Sequence, residues 1–312
     1  MSVNWTSGAQ IRRDLLDAFI EAATPQAAYR AIFSPLPVPS RVGSVKVAPF
    51  SSISVAPTSI NRAPNTEYNE AVLSLTSVLY ECTDVGLQMS MDIAQEYPTN
   101  VEMAMAQSLR YKLETAAEAI GVDVLFNSTT GAVRSANGNT TAVSTPWNNP
   151  DSNPVGDVAQ AYETIAEKSG GITPNTLVIG QAAFVALKQH PEVIYRMPAT
   201  ILKGDAEVAQ ALSGVFGVEN VVVSRVADET GVKWPRDTAL LAVTAPANSL
   251  ASTPAACRLV YWSDDGDISR EGWLVETYDK EETRSHIIRA RRNAGYLVIS
   301  NRGLYGLTSV VT

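Results

Sequence analysis

TNVEMAMAQSLRYKLETAAEAIGVDVLF, from Thr99 to Phe126, is the stretch on which the reading of this chain turns. It holds no proline, and Val101, Met105, Leu109, Leu113, Ala117, Ile120 and Val124 recur at steps of three and four, the period of an amphipathic helix. Thr99 and Glu102 stand at the spacing of a capping box, in which hydroxyl and carboxylate each satisfy an orphan amide of the first turn. The spacing therefore predicts one helix from about 99 to 126. At 1.5 Å per residue it spans ~42 Å, whereas a compact chain of this length has a radius of gyration near ~20 Å. Such a helix crosses the molecule as a spine.

On its N-terminal side, Val85, Leu87, Met89, Met91 and Ile93 alternate strictly with polar or small residues, which predicts a half-buried strand ended by Pro98. Further back, Arg41 to Asn65 is rich in Ser, Pro and Val, with apolar residues alternating at Val45 and Val47 and at Ile53 and Val55. This predicts a long hairpin excursion of low core content, with arms of about a dozen residues and ~40 Å each. A two-stranded ribbon of that kind needs a surface to lie upon. Residues 9 to 33 read as a helix carrying Ile11, Leu15, Leu16, Phe19 and Ile20, interrupted at Pro25 and stopped by Pro35, Pro37 and Pro39.

On the C-terminal side, residues 127 to 153 are dense in Asn, Ser, Thr, Gly and Pro and read as a loop at a domain junction. An α/β pattern follows: helix 157–168, strand 176–179, helix 181–189, helix 206–216, and strands at 218–226, 238–243 and 258–262. The last fifty residues are β-rich, with strands expected at 273–278, 284–291, 296–300 and 305–311 and a turn at Asp279-Lys-Glu-Glu282.

Composition narrows the function. A chain of 312 residues with 45% apolar content supports one large domain or two intimate ones. Cys82 and Cys257 make neither a disulfide framework nor a zinc knuckle. No run approaches ~18 apolar residues, and Met-Ser-Val-Asn-Trp lacks the layout of a signal peptide, so a soluble chain made in the cytosol, with no membrane partner, is expected. The balance of 24 Lys and Arg against 32 Asp and Glu is spread evenly and provides no basic tail for gripping phosphate backbones.

The residues offer no chemistry that stands above ordinary structural uses. No Gly-Lys pair exists, hence no Walker A loop, and Gly180 reads as a strand-to-helix turn. Asp264-Asp-Gly-Asp267 has the ligand type for a hard cation but lacks the closing Glu of a calcium loop, and reads as a solvated turn. His190, before Pro191, reads as a helix cap. Arg284, Arg289, Arg291 and Arg292 with His286 form the basic concentration of the chain. On a strand, 289 and 291 face one way and 284, 286 and 292 the other, so pairing with Glu276, Asp279, Glu281 and Glu282 is expected rather than a phosphate-tracking stripe. No catalytic residue, metal site or cofactor is predicted.

Taken in order, an N-terminal arm, a long hairpin, a spine helix, an inserted α/β domain and a closing β-rich segment resemble the major capsid proteins of tailed bacteriophages, in the Hong Kong phage (Johnson) fold. Asn175-Thr-Leu-Val-Ile-Gly-Gln-Ala-Ala-Phe-Val-Ala-Leu-Lys-Gln-His-Pro-Glu-Val-Ile194 looks like the strand and helix of their axial domain. Ala294-Gly-Tyr-Leu-Val298 is similar to their C-terminal strand, and Arg62-Ala-Pro-Asn-Thr-Glu-Tyr68 looks like the base of their extended loop.

The resemblance implies an α+β fold with the arm at residues 1–40 and the extended loop at 41–70. The peripheral domain would take 71–149 and 261–312, with the spine helix at about 99–126, and the axial domain 150–260. It implies a structural, non-enzymatic homo-oligomer of hexamers and pentamers that closes an icosahedral shell around double-stranded DNA, enclosed without sequence preference. Separate scaffolding, portal and decoration proteins are the further partners. The virion capsid is the location, after synthesis and assembly in the host cytoplasm. Candidate intersubunit contacts are Lys46, Arg62, Glu67, Arg284, Arg289, Arg291 and Arg292. About forty residues precede the loop, so no large scaffolding propeptide is expected. Lys46 is the one loop lysine and no cross-linking partner is evident, so no covalent cross-link is expected. Two alternatives stand beside this reading: an encapsulin-like compartment enclosing protein cargo, and an α/β enzyme using residues 150–260 as a ligand domain.

Overall fold

The computed structural model describes residues 10–22, 24, 26–50, 67, 75–92, 100–197, 204–246, 249–250, 253–262 and 272–312. The chain opens with a short strand, β1 (Gln10–Ile11), followed by α1 (Arg13–Glu21) and α2 (Ala28–Ile32). The single helix expected at 9–33 is thus two, and the break falls in the segment carrying Pro25. The run of prolines that was expected only to stop the helix forms β2 (Ser34–Val38). Pro35 and Pro37 alternate with Ser34, Leu36 and Val38, whose backbone groups face β12 (Cys257–Trp262) in parallel register. The missing amides point off the edge of the sheet, where proline is tolerated.

Next come β3 (Val42–Val47), β4 (Thr76–Glu81) and β5 (Thr83–Asp92). β3 pairs antiparallel with β4, Val45 opposite Val78, rather than with a strand inside 41–65. The ribbon is six residues long on each arm at its described base; Ile53 and Val55 lie outside the described residues. Val45, Val47 and Tyr80 turn inward onto Leu36, Val38, Cys82 and Val260, so this base is anchored in a small core of its own.

The spine is α3 (Val101–Phe126). Its N-cap, Asn100, adopts a left-handed conformation with no side-chain cap; Thr99 lies outside the described residues, and Glu102 turns to Arg12 instead of closing a capping box. The buried line runs Met105, Leu109, Leu113, Ala117, Gly121 and Leu125, always in steps of four. Each such step advances about 40° around the axis, so the apolar line winds roughly 200° along the helix. Ile120, expected in the stripe, is therefore exposed. The winding lets one helix serve two cores. Its first half packs with Leu15, Leu16, Phe19, Trp273, Val275 and Ile288, and its second half with Phe33, Trp234, Leu240 and Leu259.

After the loop-rich segment, which contributes β6 (Thr140–Ala142), come α4 (Pro154–Ser169), β7 (Thr176–Gly180), α5 (Gln181–Gln189), α6 (Pro191–Arg196), α7 (Asp205–Phe216) and β8 (Asn220–Ser224). A small hairpin, β9 (Ala227–Asp228) and β10 (Gly231–Val232), leads to β11 (Ala239–Ala242) and β12. The chain then continues through β13 (Trp273–Lys280), β14 (Ser285–Val298) and β15 (Leu304–Thr308). β14 is one strand of 14 residues, where two strands were expected, because Ala294 is held by β12 on one side and β5 on the other.

Two sheets result. In the first, β13 and β12 lie end to end along one side of β14 and β5 along the other, with β1 and β2 outside β13 and β12. The second runs β6-β15-β11-β7-β8, with α4, α5 and α7 packed on it through Ile165, Leu187 and Leu212. The sheets do not follow sequence order. β12, near the end of the 150–260 segment, joins the first sheet, while β6 and β15 come from outside that segment to complete the second.

Candidate assembly surfaces

Pairing in the β3–β4 ribbon sends Gly43, Val45, Val47 and Tyr80 to the molecule and Val42, Ser44, Lys46, Ser77, Leu79 and Glu81 away from it. Leu79 is 80% exposed and Val42 64%, on a face that also holds Lys46. Glu67 is exposed, and Arg62 lies outside the described residues. A second apolar exposure lies on the other unit, where Val185 of α5 and Ile194 and Tyr195 of α6 point outward, Tyr195 at 90%.

Arg289 and Arg291 pair as their alternation predicts. Glu276 on β13 accepts from Arg289, and from Arg291 at 2.9 and 3.1 Å, both on β14. Burial pulls the Glu276 carboxyl upward, but the two guanidiniums together hold it below the usual range. Arg284 is exposed in the tight turn after Glu281–Thr283, at φ 47°. Arg292 differs from its expected place at the surface. It is buried and stacked 4.4 Å from the Trp273 ring, on the sheet face that carries Ile288 and Ala290.

Sequence reasoning missed a polar line inside the molecule. Arg110, Glu114 and Glu118 stand one turn apart on α3 and are all buried. The Arg110 guanidinium lies 4.9 Å from the Phe19 ring and bridges Glu114 at 3.0 Å. Glu114 also accepts from Arg30 at 2.6 Å and from the Tyr29 hydroxyl at 2.7 Å. Glu118 accepts the Tyr29 backbone amide at 2.9 Å and the Ser224 hydroxyl at 2.7 Å. Burial raises the Glu118 carboxyl and pushes the Tyr29 phenol up to about 12. These bonds join the N-terminal segment, the spine and the end of β8 at one point. The signal was present in sequence as Arg-x-x-x-Glu-x-x-x-Glu, a charged line at four-residue spacing on a helix with apolar residues on either side.

Among the described residues no group of three His, Cys, Asp or Glu is placed to hold a metal ion; the Asp264–Asp267 turn lies outside them. Both cysteines are buried and free. His190 is buried too, its Nε2 3.1 Å from the Ser152 hydroxyl. No helix among the described residues is long and apolar enough to cross a membrane.

Comparison with known proteins gives these surfaces a family. The major capsid protein of Burkholderia phage BcepMu is 27% identical over 162 residues, 52% of this chain and 51% of its own; the match thus spans about half the length of that relative. In architecture the chain is similar to a phage-related protein from Bordetella bronchiseptica RB50, with a TM-score of 0.70, 17% identity, and coverage of 97% of this chain and 99% of that one. It is also similar to the SrpI encapsulin of Synechococcus elongatus PCC 7942, with a TM-score of 0.52, 12% identity, and coverage of 99% and 92%. At such identities these structures establish the fold alone, the α+β Johnson fold. The family model described as phage major capsid protein E matches residues 93–256, from just before the spine helix to the edge of β12, and the chain belongs to that family.

Proposed function

We propose that this chain is the repeating subunit of a closed icosahedral shell around double-stranded DNA, a mechanical and not an enzymatic role. The family match, which runs through the spine helix and the α/β segment, carries the reading. The relative is named as a phage coat, which favours a genome over the protein cargo of an encapsulin-like compartment. In this reading the arm is 1–40, the extended loop 41–70, the peripheral domain 71–149 and 261–312, and the axial domain 150–260, with β6 and β15 reaching into the axial sheet. The outward ribbon face, with Val42, Lys46 and Leu79, lies over a neighbouring copy, alongside Arg62 and Glu67. Val185, Ile194 and Tyr195 face the next copy around the axis of a hexamer or pentamer. Arg284, exposed at its turn, is the freest of the hairpin arginines to cross to a neighbour; Arg289 and Arg291 share Glu276 and hold the hairpin rigid beside it.

Such contacts are heterologous, and rotation closes them into rings. Each is modest, and simultaneous engagement makes closure cooperative. The surplus of 32 acidic over 24 basic residues suits a lumen that confines DNA without holding it. The shell forms in the host cytoplasm, with scaffolding, portal and decoration supplied by separate proteins. Expression followed by electron microscopy tests the proposal: closed particles containing nuclease-protected DNA support it. Particles with protein cargo and no DNA favour the compartment, and a monomer under every condition tried, scaffold included, overturns both. A monomer-sized band from boiled particles tests the absence of a cross-link.

A further inference from the structure

His286 is placed where one proton decides a contact between two elements. It stands near the start of β14, opposite Asp279 of β13 and Met91 of β5, on the face that packs against α1 and α3. Its Nδ1 is 2.5 Å from Asp279 Oδ1. Its Nε2 is 3.2 Å from Glu102 Oε1, in the first turn of the spine helix, off the line of a straight hydrogen bond and thus an ion-pair contact. The second oxygen of Glu102 takes Arg12 at 3.3 Å, and Arg12 is forked onto Asp14 at 2.9 and 2.6 Å. The Arg12 backbone amide donates to Val275 of β13 at 3.1 Å. The groups facing the ring are therefore Asp279 from the sheet and Glu102 from the helix, with Arg12 and Asp14 behind Glu102 and the apolar Met91 beside it. Lys280 and Asp92 flank the neighbouring position, Ser285, on the opposite face of the sheet.

A neutral imidazole carries one N–H and one lone pair; an imidazolium carries two N–H groups. With a carboxylate at each nitrogen, the neutral ring can serve one of them and must turn its lone pair on the other. Asp279, the closer, retains the proton on Nδ1, so Glu102 is the partner that is lost. We propose that His286 is a proton-operated clasp: the imidazolium fastens the first turn of the spine helix to the β13–β14 hairpin, and the neutral ring releases it. The clasp holds on the acid side and opens as pH rises. The inference concerns the single folded chain and stands apart from shell assembly.

Hydrogen exchange on the full, unassembled chain tests it, with rates corrected for the intrinsic effect of pH between 5.5 and 8.5. Peptides covering residues 101–108 and 281–286 are expected to exchange roughly five- to tenfold faster, relative to intrinsic rates, at the upper pH. Peptides around His190 serve as the internal reference. In His286→Gln, residues 101–108 should exchange at the faster rate throughout. In Glu102→Gln the amide can accept from an N–H or donate to a lone pair, so protection should persist at both ends of the range. Protection at 101–108 that ignores pH in the unaltered chain overturns the clasp, as does an unchanged pH dependence in either variant.

Discussion

Glu118 and Glu276 are both buried carboxylates, and their ionisation acts on stability in opposite directions. The Glu118 carboxyl is raised in the fold, chiefly by burial, above its ordinary 4.5, so its charged form opposes folding; stability should rise as pH falls from that raised value toward 4.5. Glu276 is lowered by its two arginines despite its burial, so its contribution is present above 4.5 and disappears as pH falls through the lowered value. Glu118→Gln should therefore fold, melt no lower than the parent at pH 7 to 8, and show a flatter Tm profile between pH 5 and 8. A Tm several degrees lower at pH 8 would contradict this account. Glu114→Ala is the opposite case. It leaves Arg110 buried with no carboxylate beside it and removes the partner of Arg30 and Tyr29, a loss of about 3–5 kcal/mol by the usual cost of breaking a buried pair. Denaturant unfolding measures it directly. At this scale the sequence was legible where alternation applied, as for Arg289 and Arg291 opposite Glu276. For Arg110, Glu114 and Glu118 the spacing was visible but the burial was not, and for Arg292 the burial was not visible either, because a charge on a helix or strand is ordinarily solvated and only the packed neighbours reveal otherwise.

Elements with strong periodicity were legible in sequence: the spine helix, the strand expected from Val85, described as far as Asp92, and most helices and strands from 154 to 242, though α6 and the β9–β10 hairpin were not expected. Pairing was not legible. The partner of β3 lies beyond the 28 residues from 48 to 75, and no local pattern states which distant strand will meet it. Gly295 falls between the two strands expected at 284–291 and 296–300, and in the single β14 it answers a demand of close packing. A Cβ there would sit 2.4 Å from the Glu81 carbonyl oxygen, where β4 passes into β5. Glycine interior to a strand marks such an approach of another backbone. The ribbon also yields the element-scale test of assembly. Leu79 contributes little to the folded chain, so Leu79→Asp should shift unfolding by no more than about 0.5 kcal/mol. In the proposed shell it places a charge in an apolar contact, and particle yield should fall sharply in sedimentation or electron microscopy. Normal yields from a stably folded variant would remove that face from the set of contacts.

For the molecule as a whole, the order of elements was legible and the interleaving of the sheets was not, since nothing in residues 300–312 states that they return to the α/β unit. β15 lies between β6 and β11, so it occupies an interior position in a sheet whose other strands all precede it in sequence. Its Leu304 and Leu307 enter two different cores. A chain truncated after Asn301 should accordingly lose the second sheet and accumulate as insoluble material, whereas removal of Thr312 alone should be tolerated. A nascent chain meets the same condition on the ribosome. Strands β6 and β11 emerge long before the strand that joins them, so the sheet cannot close until residue 308 has left the exit tunnel. Formation of that sheet is thereby timed by translation, and the two cores that Leu304 and Leu307 fill stay incomplete until then.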